Sequence, residues 1–424
     1  MNYQTQEIKE GIKLHMIKTD NFKTNLYAVF IATPLKRENV TFDALLTAVL
    51  RRGTKTMQSQ DMISKKLEEM YGASFDCGIE KTGDNHILKF YLEAISEEFL
   101  PEKEELEQKC LDILFDIIFN PLVENNGFKE EYVQGEKQNI KQIIEGKIDN
   151  KARYSLDRCI EEMFKDEPYG LYKYGYVEDL EKITPQSLYE YYKKLMNECK
   201  IDIFCSGGIE AEKTKTIIGQ NEKIQNLKAR KPQYKINNEQ TEETEVQEEK
   251  TVEEHMQVNQ GKLVIGLSVN SNEENARFTT SVYNAILGGG ANSKLFQNVR
   301  EKESLAYTAG SNYVRQKNSI FIRCGIEIDN YEKALNTIKQ QLQDIQEGKF
   351  DEKDIENAKN LIIESVKSIP SEQDTEITYY YGQELSDIFM TLEEYIEKIN
   401  KQSKEKIVDL ANKVNINTIY FLRN

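Results

Sequence analysis

GGGANSKLFQNVREKESLAY, from Gly288 to Tyr307, holds the densest set of groups in this chain that can act on a ligand. Gly288, Gly289 and Gly290 open a backbone path closed to other residues, and amides at the start of a following helix can receive a carbonyl or an anion. The segment lacks the Lys-Ser/Thr ending of a phosphate loop, and an ordinary tight turn is the plain alternative. Metal chemistry has little to draw on. His15, His86 and His255 lie far apart, and none has another histidine at metal-ligand spacing. The cysteines Cys77, Cys110, Cys159, Cys199, Cys205 and Cys324 form no CxxC pair and read as buried reduced thiols. No zinc site is expected within this chain.

The elements that must position Gly288 to Tyr307 follow from periodicity. Leu295, Phe296 and Val299 share one face while Lys294, Asn298, Glu301 and Lys302 lie elsewhere, which predicts a short helix, and after Leu305 the pattern becomes that of a strand. At 424 residues the chain is too long for one ordinary core, so two or more domains are expected. Residues 221–250 include KARKPQYKINNEQTEETEVQEEK, have little apolar periodicity, and read as a charged linker between domains at 1–220 and 251–424.

The order of elements repeats on the two sides of that linker, which suggests duplication. A strand at Leu26 to Ala32 precedes a helix with Phe42, Leu45, Leu46, Val49 and Leu50 on one stripe, then a glycine, a second helix and YGASFDCGIE. In the second half KLVIGLSV precedes a helix with Phe278, Val282, Ala285 and Ile286 on one face, then the glycines, another helix and LAYTAGSNYV. Each half continues with a strand, HILKFYLEA or SIFIRCGIEI, then long helices and a closing strand, IDIFCS or TIYFLRN. One of those helices is marked by Tyr331, Ala334, Leu335, Ile338, Leu342 and Ile345. The expected fold is α+β, two related domains, each a mostly antiparallel sheet covered by helices.

Composition narrows the partners. The formal charge of -16, from 72 acidic and 56 basic residues, repels phosphate backbones and anionic membranes, and no local basic patch in the sequence offsets it. Neither nucleic acid nor membrane is expected as a partner. The N-terminal MNYQTQEIKEGIKL has neither a basic start nor an apolar run, and nowhere do eighteen apolar residues occur together, so a cytoplasmic protein is expected.

GGGANSKLFQNVREKESLAY resembles the C-terminal signature of the insulinase or pitrilysin-type zinc peptidases, the inverzincins. RRGTKTM from Arg51, YGASFDCGIEKTGDN from Tyr71 and DEPYGLYKYGYVEDLEKITPQSLYEYYKKL from Asp166 resemble further blocks of that family, in family order. The family's metal motif is HxxEH, two histidine ligands with a glutamate as general base. Those positions fall here on Ala44, Leu45, Leu46, Thr47 and Ala48, so Ala44, Thr47 and Ala48 are non-ligating. The third ligand falls at Gln142 or Ile143, and Glu136 matches a supporting acidic position.

The resemblance assigns the second signature differently. It matches Arg300 and Tyr307 to an arginine and a tyrosine that bind substrate backbone near the scissile bond. A guanidinium can donate to a peptide carbonyl, and a phenol to the oxygen that becomes negative. The plain alternative is that Arg300 caps a surface helix and Tyr307 fills a strand edge. Ser304 stands where the family commonly has glycine, at a helix end where left-handed backbone is needed. The resemblance therefore implies a non-catalytic, peptide-binding subunit of a heterodimeric zinc metallopeptidase. In that arrangement an HxxEH-bearing partner subunit holds the zinc, and the substrate is a peptide or small polypeptide. A structural or peptide-binding protein without peptidase activity, like family-related core subunits of larger complexes, is the second reading.

Overall fold

The computed structural model describes residues 3–232, 248–271, 273 and 275–424. Five strands open the chain: β1 (Tyr3–Lys9), β2 (Ile12–Lys18), β3 (Thr24–Pro34), β4 (Ser74–Thr82) and β5 (Asn85–Ile95). A short hairpin, β6 (Val123–Glu124) and β7 (Gly127–Phe128), and the strand β8 (Lys200–Gly207) follow. The later strands are β9 (Lys250–His255), β10 (Gly261–Val269), β11 (Ala306–Val314), β12 (Ser319–Ile326) and β13 (Val414–Arg423).

Two sheets are built from them, with orders β1-β2-β8-β3-β5-β4 and β11-β12-β10-β13-β9. Read from the β4 and β11 ends, the sheets match strand for strand, apart from the additional β1. The match extends to direction: β2 with β8 and β9 with β13 are the parallel pairs, and the other pairs of both sheets are antiparallel. The α+β duplication expected from the order of elements is thus the architecture.

Two compact units do not follow the linear division at 1–220 and 251–424. Within the described residues one comprises 3–146, 171–232 and 370–385, and the other 147–170, 248–369 and 386–424. Each unit therefore takes a helix from the opposite half of the chain. Helix Lys151–Met163 packs Tyr154, Cys159, Ile160 and Met163 with Val264, Phe321 and Tyr420 of the second unit's sheet. Helix Gln373–Ser386 packs Ile377, Tyr381 and Leu385 with Ala28, Phe30 and Phe204 in the first. A sheet with both faces apolar needs a cover on each, and burying one such side chain contributes about 1.5–3 kcal/mol. Glycine makes one of these covers possible: a Cβ on Gly266 would lie 2.6 Å from Met163 Sδ.

The expected linker at 221–250 is shorter than its charge suggested. Asn221 caps helix Glu222–Asn226, whose Ile224 is buried in the first core, and Arg230 is buried against Gly11. β9 already begins at Lys250. The remainder of that stretch, 233–247, lies outside the described residues.

Candidate functional site

Helix Val40–Leu50 carries the degenerate motif positions. Leu45 and Leu46 point into the core, while Ala44, Thr47 and Ala48 line a cavity of about 370 Å³ together with Cys77, Glu136 and Ile143. β4 supplies Cys77, and helix Glu130–Gly146 supplies Glu136, Asn139 and Ile143. Of the two positions considered for a third ligand, Ile143 lines the cavity and Gln142 does not. The sequence positions thus converge on one place in the first unit.

The donors at that place do not fit a zinc ion. Thr47 Oγ1 donates to the Asp43 carbonyl of its own helix at 2.9 Å. Cys77 Sγ lies 3.6 Å from the Thr47 carbonyl, and burial pushes its thiol up to about 12, away from the thiolate a metal requires. Glu136, almost fully buried, is ion-paired to Arg52 Nε and accepts from Asn139 Nδ2 at 3.1 Å. Zinc takes deprotonated sulfur, imidazole nitrogen or free carboxylate. Among the described residues no group of three His, Cys, Asp or Glu could hold a metal.

Arg52 was not singled out by sequence, yet it is the cation paired with Glu136. The available signal was electrostatic: an acid left facing a cavity needs a counter-charge, and an adjacent arginine lies in RRGTKTM. Arg52 is itself fixed by Gln60 Oε1 at 2.9 Å from Nη1. The histidines are occupied elsewhere. His86 Nδ1 lies 2.9 Å from Asp43 Oδ2, whose other oxygen accepts from Tyr191 OH at 2.6 Å. His15 lies between Asp202 Oδ1 at 2.9 Å and Tyr3 OH at 2.8 Å, and the exposed His255 lies 2.9 Å from the Asn424 carbonyl. None of the three lines the cavity.

The second unit presents Arg300 and Tyr307. Helix Ala276–Gly288 ends against β11, where a Cβ on Gly288 would lie 2.5 Å from the Ser311 nitrogen. None of Gly288, Gly289 and Gly290 has left-handed backbone, so close approach rather than an unusual φ accounts for Gly288. The helix that follows, Leu295–Lys302, is π-helical and buries Leu295 and Val299 as the periodicity predicts. The Phe296 amide at its start is 3.4 Å from Ser293 Oγ, so that donor is not free for an anion.

Arg300 is exposed at the last turn of this helix, its guanidinium 4.5 Å from the Phe296 ring centroid and its Nε 3.6 Å from Glu301 Oε1. Tyr307 is 63% exposed near the start of β11 and donates to Glu327 Oε1 at 3.0 Å. That hydrogen bond and the Glu327 charge raise the phenol above its ordinary range, so it is protonated at neutral pH. No hydrogen bond or ring contact joins Arg300 to Tyr307 among the described residues. Both donors face solvent.

Between them Ser304 has φ +51°, the left-handed conformation expected at this helix end. A side chain there is strained, so Ser304→Gly is expected to stabilise the protein by about 1 kcal/mol. Chemical denaturation checks this: a higher midpoint with an unchanged slope is the expected result.

The family profile described as "Peptidase M16 inactive domain" matches residues 182–362. Over 414 residues the chain is 33% identical to "Probable inactive metalloprotease YmfF" of Bacillus subtilis, covering 97% of this chain and 96% of the relative. It is 24% identical over 432 residues to an "Uncharacterized zinc protease" of Rickettsia felis, covering 97% and 95%. A crystal structure of a conserved protein from Enterococcus faecalis superposes with a TM-score of 0.88 at 28% identity, covering 100% of this chain and 99% of that one.

Proposed function

Since this chain belongs to the M16, or insulinase, peptidase family as an inactive member, we propose that it is the non-catalytic, peptide-binding subunit of a heterodimeric zinc peptidase. A partner chain with an intact HxxEH carries the metal and the general base. This chain completes the substrate chamber, with Arg300 donating to a backbone carbonyl of the bound peptide and Tyr307 to the oxygen that becomes negative at the scissile bond.

One observation carries the reading: the metal half is dismantled while the substrate half remains presented. By the family resemblance Ala44, Ala48 and either Gln142 or Ile143 stand where the metal ligands would be and Thr47 where the base would be, whereas Arg300 and Tyr307 stay exposed with protons to donate. Two exposed polar side chains of this kind hold no core together. Their neighbours, Phe296 and Glu327, orient them without burying them.

The proposal places the protein in the cytoplasm. Its six cysteines are unpaired, five of them buried, in keeping with a reducing compartment. No helix among the described residues is long and apolar enough to cross a membrane.

The test is purification of the tagged chain from its own cell, followed by mass spectrometry and metal analysis of what remains bound. The expected result is an HxxEH-bearing chain in equal stoichiometry with one zinc per pair. A stable complex free of both zinc and any HxxEH chain would instead assign the structural or peptide-binding role without peptidase activity.

A further inference from the structure

The second unit contains a cleft of about 460 Å³, bounded in part by Gly288 and Gly289, whose two cations the site above does not use. It opens at the β11 edge of the five-stranded sheet. Lys262 of β10 lies opposite Gly325 of β12, and Gly325 opposite Thr308 of β11. In the neighbouring row Val264 lies opposite Arg323, and Arg323 opposite Gly310. Positions two apart on a strand share a face, so Lys262, Arg323, Thr308 and the two glycines share one side of the sheet. Gly325, between Lys262 and Thr308, and Gly310, beside Arg323, contribute no side chains of their own, and the Gln260 amide and Thr308 hydroxyl lean over Gly325.

The electrostatics of the cleft are unlike those of the chain. The whole sequence carries -16, yet no Asp or Glu is among the cleft's lining residues. Lys262 Nζ bonds Gln260 Oε1 and Arg323 Nη2 bonds Asn312 Oδ1, so among the described residues each cation is held by a neutral amide and neither by a carboxylate. An amide orients a cation without neutralising it. Partial burial lowers the Lys262 ammonium below the ordinary lysine range, a cost that an arriving anion offsets. The sequence hid this pair because Lys262 and Arg323 come from different strands and form no basic run.

We propose that this cleft receives a carboxylate of a bound peptide on Arg323 and Lys262, and that the protein therefore prefers acidic peptides; the inference rests on the peptide-binding reading above. An extended peptide running along β11 can pair with that edge strand and lay one side chain or its C-terminus towards Arg323 and Lys262. Arg323 is exposed and able to take the carboxylate through two N–H groups, with Thr308 Oγ1 at the rim as a further donor.

Fluorescence anisotropy with the full chain and short labelled peptides tests this. Three peptides suffice: one with a central glutamate and an amidated C-terminus, its glutamine counterpart, and the glutamine peptide with a free C-terminus. Whichever carboxylate is used, its peptide is expected to bind about tenfold tighter than the uncharged one, with the difference shrinking in high salt. Arg323→Gln and Lys262→Gln are expected to erase that preference while binding the uncharged peptide like the wild type, and Arg323→Lys to keep part of it.

Equal binding of all three peptides, or a preference that survives both glutamine variants, overturns the carboxylate site and leaves peptide binding standing. Binding of none overturns both. Arg300→Ala serves as the separating control, since it is expected to weaken all three peptides alike.

Discussion

Arg300→Ala and Tyr307→Phe are each expected to lower kcat/KM of the assembled peptidase by about 100-fold: Tyr307→Phe removes a donor to the developing oxyanion, and Arg300→Ala removes a charged hydrogen bond to the peptide carbonyl worth about 1.5–3 kcal/mol. Assembly and zinc content should stay unchanged. The size of the effect follows from where the charge develops. A guanidinium or phenol held at the scissile bond in a site closed to water acts at low dielectric, where a lost hydrogen bond is not replaced by solvent. In the isolated chain the same groups are exposed, so truncation should leave its thermal stability nearly unaltered.

Tyr307 adds a requirement. Its one proton is committed to Glu327 Oε1 at 3.0 Å, so donation to substrate requires that bond to be exchanged. At 63% exposure the bond competes with water and can be given up. Stopped assays that separate kcat from KM distinguish the roles: loss in kcat marks a donor acting in the transition state, and a rise in KM alone marks uniform binding.

The second large effect is a gain. The variant combining Ala44→His, Thr47→Glu, Ala48→His and Ile143→Glu is expected to bind zinc in near-stoichiometric amount. Ala44 and Ala48 lie on one face of helix Val40–Leu50 at the i, i+4 spacing of paired histidine ligands, and Ile143 lines the same cavity of about 370 Å³ from helix Glu130–Gly146. Zinc at about 100 times its dissociation constant should then stabilise the variant by about 2.7 kcal/mol. Elemental analysis after dialysis, with thermal melts with and without zinc, checks both statements. A folded variant that takes up no zinc would show that these positions were wrongly matched to the motif.

Much of the fold was legible because buried faces repeat at the spacing of their element. The stripe of Phe278, Val282, Ala285 and Ile286 lies in helix Ala276–Gly288, and KLVIGLSV is β10. The order of elements also revealed the duplication, since one sheet follows the other strand for strand. Chain exchange was not legible. The apolar residues of Lys151–Met163 and Gln373–Ser386 announce helices that need a cover, but periodicity does not say which sheet provides it.

The site divides in the same way. The family resemblance matched Ala44, Thr47, Ala48 and either Gln142 or Ile143 to the metal motif, and all of these but Gln142 line one cavity; the departure at Ser304 marked left-handed backbone. The glycines were misread as a conformational device because sequence shows that a Cβ is missing without showing what occupies its place. At Gly288 that neighbour is the β11 backbone. Arg52 beside Glu136, and Lys262 with Arg323, are pairings across elements that no local pattern encodes.

The most direct measurement is peptide cleavage by this chain, by its HxxEH-bearing partner, and by the two mixed in equal amounts. The account predicts that neither chain alone cleaves, that the mixture does, and that activity saturates at a one-to-one ratio. Full activity from the HxxEH chain alone, unchanged on adding this one, would contradict it.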